Sequence, residues 1–160
     1  MEAVRVLALG KLKEPFYLQA AAEYAKRLAG YCKFSLTELP EYRLPEDPSP
    51  AQIADGLLRE AQTVREKLPK GAWLCVLTPE GKKLSSEGFA KAIDAARLAG
   101  KSQLCFLLGS SFGIAPELKA MADLRLSFSD MTFPHHLARV MLLEQIYRAE
   151  NILAGTKYHK

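Results

Sequence analysis

"QLCFLLGSSFGIAPELKAMADLRLSFS", Gln103–Ser129, is the stretch on which the fold turns. Leu104 to Leu108 is an unbroken apolar run, the mark of a strand with both faces buried rather than one half open to solvent. It ends in the Gly-rich "GSSFG". A short helix is predicted from Pro116, because a residue without an N–H loses nothing in the first helical turn. "LRLSFS" then reads as a further strand.

Upstream, "AWLCVLT" is another continuous apolar strand, followed by "PEGKKLSSEG" as a polar loop and a helix carrying Phe89, Ile93 and Ala96. "VRVLALG", from Val4 to Gly10, reads as the first strand, and Tyr17, Ala21, Tyr24 and Leu28 repeat at helical spacing up to Gly30. "KFSLTEL" alternates in polarity and is expected at a sheet edge. "PEYRLPEDPSP" holds four prolines and reads as an exposed loop. Ala54, Leu57, Leu58, Ala61, Val64 and Leu68 form the stripe of a helix that Pro69 stops. Beyond the last strand a long helix is predicted from about Pro134 to Leu153. Strands alternating with helices predict a single α/β domain over residues 1–160, with a mostly parallel sheet and helices on both faces.

Composition narrows the class. With 49% hydrophobic and 25% charged residues in 160, the chain can bury a core without metals or disulfides. Lys and Arg number 22 against 18 Asp and Glu, a net charge of +4 that suits a polyanionic partner without marking a nucleic-acid coat protein. Cys32, Cys75 and Cys105 are widely spaced, without metal-ligand spacing, and Cys75 and Cys105 lie inside apolar runs. An odd cysteine count without a secretory signal favours a reducing, cytoplasmic compartment, and no run reaches the roughly 20 apolar residues of a membrane span.

Sheets of this kind bind ligands beyond the carboxyl ends of their strands. The loops there are "LTPEG" after Val76, "GSSFG" after Leu108 and "FSDMTF" after Leu126. If the three strands are neighbours, the loops form one pocket of glycines, hydroxyls and backbone amides.

"LSFSDMTFPHHLARVMLLEQIYRAENILAGTKYHK" closely resembles the C-terminus of the RlmH (YbeA) family of SPOUT methyltransferases, and "ALGKLKEPF", "LTPEGKKLSSEGFA" and the final "YHK" extend the resemblance across the chain. The resemblance implies an S-adenosylmethionine-dependent enzyme that methylates N3 of a pseudouridine in 23S ribosomal RNA, in the stem-loop called helix 69. It also implies a homodimer, a ribosomal partner and a C-terminal trefoil knot. Transferred residue by residue, the cofactor contacts are Leu77, Gly109, Phe128, Ser129, Asp130, Met131, Thr132 and Phe133. These fall in the three loops that strand order singles out. One departure is visible: Ser110 stands where relatives usually carry a second glycine, and Phe112 where a polar residue is common. A positive φ at Ser110 would be strained.

Methyl transfer to N3 needs in-line positioning and removal of a proton that lies between two carbonyls. Neither task requires a metal. A cation or strong donor near those oxygens would stabilise the developing charge. The catalytic candidates are Tyr158, to stack on or orient the base, His159, to assist deprotonation, and Arg139, to contact base or phosphate. Without the resemblance, "TKYHK" reads as a frayed basic terminus and Arg139 as an ordinary ion pair, with Glu150 as the partner on its helical face.

His135 and His136 are expected at the start of the long helix, with His136 in a packing role and His135 on the pocket wall. Glu144 and Arg148 read as an i, i+4 surface pair. Lys11, Lys13, Lys82 and Lys83 are solvated lysines or phosphate contacts at a pocket rim. The long helix shows two apolar faces, Ala138, Leu142, Ile146, Ala149 and Leu153 on one and Val140, Leu143 and Tyr147 on the other; the second calls for another buried contact, which an intramolecular neighbour could supply or, with the dimer the resemblance implies, a second copy.

Two rivals remain at this point. A nucleotide-binding protein would use "GSSFG" as a phosphate cradle, but the P-loop pattern is missing. A non-catalytic ribosome-associated RNA-binding module would keep the fold and lose the chemistry.

Overall fold

The computed structural model describes residues 2–160. Ten elements alternate along the chain: β1 (Ala3–Leu9), α1 (Pro15–Leu28), β2 (Lys33–Leu39), α2 (Pro50–Lys67), β3 (Trp73–Lys83), α3 (Ser86–Leu98), β4 (Gln103–Leu108), α4 (Pro116–Met121), β5 (Leu124–Ser127) and α5 (His135–Ala154). The five strands form one parallel sheet in the order β2-β1-β4-β3-β5. The alternating "KFSLTEL" sits at an edge, and the apolar strands β1, β4 and β3 occupy the centre, where both faces are covered.

Side chains alternate across the sheet and divide the core in two. Val4, Val6, Cys75, Leu104, Phe106 and Leu126 face α1, α3 and α5, while Leu7, Leu9, Leu74, Val76, Cys105 and Leu107 face α2 and α4. Phe106 stands at the centre of the first layer and meets both Trp73 and Phe89 edge to face, with ring centroids 5.8 and 5.9 Å away. Each such buried side chain contributes roughly 1.5–3 kcal/mol. All three cysteines are buried free thiols.

Two helices start inside stretches that read as loop, because a serine caps each one. Ser49 caps α2 reciprocally with Gln52, ahead of Pro50. Ser85 caps α3 by accepting the N–H of Gly88. α5 begins one residue later than its sequence suggests: Pro134 is the N-cap and His135 the first helical residue.

The loop expected after Thr78 is replaced by something more structured. β3 continues to Lys83, and both Leu77 and Lys82 are register partners of Leu126, so residues 78–81 leave the strand and return to it. Gly81 makes the return possible. A Cβ there would sit 2.7 Å from the carbonyl carbon of Leu126 and 2.8 Å from the Arg125 carbonyl. Lys83 then pairs with Ser127, at the end of β5.

α5 lies between α1 and α3 and is enclosed by both. Leu142 and Leu143 are both in the core, and Tyr147 packs its ring against Tyr24 and Tyr31. Leu143 and Tyr147 of the second apolar face are therefore covered from within the chain, while Val140 is half-buried and lies outside both core layers. Among the described residues no helix is long and apolar enough to cross a membrane.

Gly81→Ala is expected to destabilise the protein by about 1–3 kcal/mol, the usual cost of forcing an extra methyl into a filled space. Urea unfolding of both proteins checks this, and an unchanged midpoint would show that the β3–β5 junction can relax around a Cβ.

Candidate active site

Because β4, β3 and β5 are neighbours, the loops at their carboxyl ends meet. They enclose a cleft of about 680 Å³, within the range of small-molecule sites. All eight residues singled out as cofactor contacts, Leu77, Gly109 and the run Phe128 to Phe133, line it. Thr78 and Glu80, from the expected "LTPEG" loop, line it too, and Lys119, which sequence reasoning missed, lines it as well. The signal for Lys119 was weak, since it sits on the short α4.

The turn after β5 is built from its own hydroxyls. Ser127 Oγ donates to the carbonyl of Ser129 at 3.1 Å, and Ser129 Oγ accepts the N–H of Met131 at 3.0 Å. Lys83 Nζ pairs with Asp130, tying the turn to the extension of β3. Lys11, Lys13, Lys82 and Lys83 are all exposed. Met131 is 76% exposed at the mouth of the cleft. The walls are apolar, with Leu77, Leu108, Ile114 and Phe128, and the rim is polar.

Gly109 is required by the loop itself. A Cβ there would lie 2.4 Å from the Gly113 carbonyl oxygen, because the Gly113 N–H donates to the Ser110 carbonyl at 2.9 Å and closes a tight turn. Gly113 carries the positive φ of 87°, and no non-glycine residue among those described has one. Ser110 is thus unstrained, contrary to the expectation from its place in the motif.

Glu80 and Lys119 form an ion pair at 2.6 Å on the cleft wall. The bond from Lys119, helped by Thr78 and a backbone N–H, lowers the Glu80 pKa to about 2. Because the folded value is depressed, the contribution is complete above the ordinary value of 4.5 and is lost as pH falls from there through about 2.

Arg139 is 1% exposed and does not line the cleft. Its Nη1 donates to Glu38 at 2.8 Å and its Nη2 to the Gly10 carbonyl at 3.1 Å, while the same Glu38 oxygen accepts the Leu12 N–H at 2.7 Å. The expected partner was Glu150, but that carboxylate pairs with Arg97 at 2.5 Å. Helical spacing gave the wrong partner because the neighbour across the fold was invisible to it. His136 packs at the helix start and pairs with Glu14 at 3.3 Å, and His135 lines the cleft.

The tail folds back onto α5 and α3, outside the cleft. Tyr158 Oη donates to Glu144 at 2.9 Å, and its ring lies 4.9 Å from Tyr147 and 4.8 Å from the Arg148 guanidinium. Burial, together with the bond to Glu144, raises the phenol pKa to about 12, so near neutral pH Tyr158 is a donor and a stacking surface rather than a base. His159 lies between Arg148, 3.0 Å from Nδ1, and Glu87, 2.7 Å from Nε2. Arginine can only donate, so Nδ1 accepts and Nε2–H donates to Glu87. In this position both ring nitrogens are engaged. The expected Glu144–Arg148 pair is present at 3.0 Å and holds the tail.

Comparison with known proteins identifies the family. The profile of the family described as "Predicted SPOUT methyltransferase" matches residues 2–159. A protein of Acetivibrio thermocellus named ribosomal RNA large subunit methyltransferase H is 41% identical over 98% of this chain and 99% of its own length. A protein of the same name from Limosilactobacillus reuteri is 40% identical over the same shares. Among solved structures, a probable methylase family protein from Haemophilus influenzae superposes with a TM-score of 0.53 at 12% identity, over 98% of this chain and 70% of that one, a likeness of fold alone.

Lys119→Met is expected to cost stability near pH 6 and to cost progressively less as Glu80 is protonated between pH 4.5 and about 2. Urea unfolding across that range checks the sign, and a difference that grows toward acid would contradict the pairing.

Proposed function

The chain belongs to the SPOUT methyltransferase family, and we propose that it uses S-adenosylmethionine to methylate N3 of a pseudouridine in the helix 69 loop of 23S ribosomal RNA. The observation that carries this reading is the convergence of Leu77, Gly109 and Phe128 to Phe133 on one apolar cleft. The ribosomal RNA methyltransferase names of the relatives support the substrate class.

The cleft suits an adenosine in size and lining. Backbone amides of two tight turns offer donors and acceptors, and Leu77, Leu108, Ile114 and Phe128 offer an apolar slot. When bound, the cofactor supplies an electrophilic methyl group. The chain's own residues have three tasks: to hold the acceptor base in line, to exclude water and to deal with the N3 proton. Tyr158 orients the base by stacking or by its O–H. His159, once released from Arg148 and Glu87, has a ring nitrogen free to assist deprotonation or to donate to the carbonyl where negative charge collects. Arg139 serves the reaction from within the core, by fixing the start of the loop after β1 through Glu38 and Gly10.

Tyr158 and His159 do not line the cleft of their own chain. A homodimer in which a second copy brings these groups to the acceptor base answers that separation. The same reading includes a C-terminal trefoil knot, supported by the way β5 docks beside β3 before α5 crosses back between α1 and α3. It also includes work in the cytoplasm on the ribosome, with Lys11, Lys13 and Lys82 as phosphate contacts.

The test is transfer of labelled methyl from S-adenosylmethionine to ribosomes from cells lacking such an enzyme, on particles with and without the target pseudouridine. Label is expected only with pseudouridine, and a chain ending at Lys157 is expected to lose it. His159→Ala should lower turnover by about 10²–10⁴-fold, the range of general acid–base catalysis. Proven cofactor binding without any label would instead leave a non-catalytic RNA-binding module. Unchanged turnover in His159→Ala would remove that residue's role.

A further inference from the structure

The loop 109–113 is a thin wall between two hollows. On one side lies the cleft, and on the other a space of about 300 Å³ bordered by Tyr42, Leu44, Ile53, Gly56 and Glu60. Ser110, Ser111 and Phe112 border both. Ser111 and Phe112 are exposed, so packing does little to hold the wall, and specific bonds must. One closes the turn on itself, from the Gly113 N–H to the Ser110 carbonyl. The other reaches out of it: Ser110 Oγ donates to Glu60 Oε1 at 3.3 Å.

Glu60 is an unusual residue to find there. It lies on α2, is 5% exposed, and has no cation among its bonded partners. Its second oxygen accepts the Tyr42 N–H at 3.0 Å. Desolvation, aided by the nearby Glu41, pushes its pKa up, the sign of a carboxyl kept in an unfavourable medium. Packing alone would be served better by an apolar side chain at that position. What the carboxyl provides is a pair of acceptors joining α2 to two loops at once.

We propose that Glu60 is a positioning residue for the cofactor site, anchoring loop 109–113 to α2 through Ser110 and so fixing the wall of the cleft. The inference rests on the reading that this cleft binds S-adenosylmethionine. It gives Ser110 a role that a glycine at that position could not fill, since glycine has no hydroxyl to donate.

The experiment compares Glu60→Ala, Glu60→Gln, Ser110→Ala and the Glu60→Ala/Ser110→Ala double variant in the full chain. The readouts are calorimetric affinity for S-adenosylmethionine, KM and kcat, thermal midpoint, and hydrogen exchange of the cofactor-free protein. Glu60→Ala and Ser110→Ala are each expected to weaken affinity about five- to tenfold, the worth of one hydrogen bond, raising KM with little change in kcat. The double variant should bind no more weakly than the worse single one, because both remove the same link. Glu60→Gln can accept from Tyr42 and donate to Ser110 Oγ, and should stay within about twofold of wild type. Amides 109–113 should exchange faster in Glu60→Ala. A lowered midpoint with unchanged affinity, or additive losses, would reduce Glu60 to a structural residue. Unchanged exchange at 109–113 would overturn the anchor whatever the cofactor does. A wild-type protein that binds no S-adenosylmethionine would sink the functional reading, leaving the exchange result to judge the anchor itself.

Discussion

β5 is four residues long and has a single neighbour, β3. The turn 127–133 starts from that pairing, and α5 begins where the turn ends. β3 makes the contact twice, once before residues 78–81 and once after, with Leu126 as partner both times. The doubled contact compensates for the shortness of β5, and Gly81 permits it by letting two backbones approach more closely than any side chain would allow. The excursion between the two contacts is what brings Thr78 and Glu80 to the cleft.

From that constraint the site follows by topology. A parallel sheet sends all its carboxyl ends one way, and the order β4-β3-β5 makes three successive loops neighbours. Each loop is then set by a different device. Glycines fold the one after β4, side-chain hydroxyls fold the one after β5, and return to the strand folds the one after β3. The Lys83–Asp130 and Lys119–Glu80 pairs tie these loops to one another or to α4. Polar groups thus hold the rim while the apolar walls remain free for a ligand.

Much of this was legible in the sequence because the central strands carry unbroken apolar runs, and β1 and β4 each end at a glycine. The end of β3 was not legible: Lys82 and Lys83 are polar, exposed and without periodicity, and only the partner strand makes them strand residues. The eight cleft residues were legible through their motif. The partner of Arg139 was not, because Glu38 lies 101 positions away. Glu60 and Ser110, 50 positions apart, escaped for the same reason. The two apolar faces of α5 were legible, but not what covers the second, since periodicity counts buried faces without saying what buries them; Leu143 and Tyr147 pack within the chain. The tail is the subtler case. Its residue types pointed to chemistry, while its bonds to Glu87, Glu144 and Arg148 show that within one chain those groups are occupied.

The central claim is that three adjacent loops form one cofactor site. Its most direct test is an NMR titration of the backbone amides with S-adenosylmethionine, and separately with ATP. The account predicts saturable shifts concentrated in Leu77–Glu80, Gly109–Gly113 and Phe128–Phe133 with the first ligand and none of comparable size with the second. Shifts centred elsewhere on the sheet, or the same response to ATP, would contradict it.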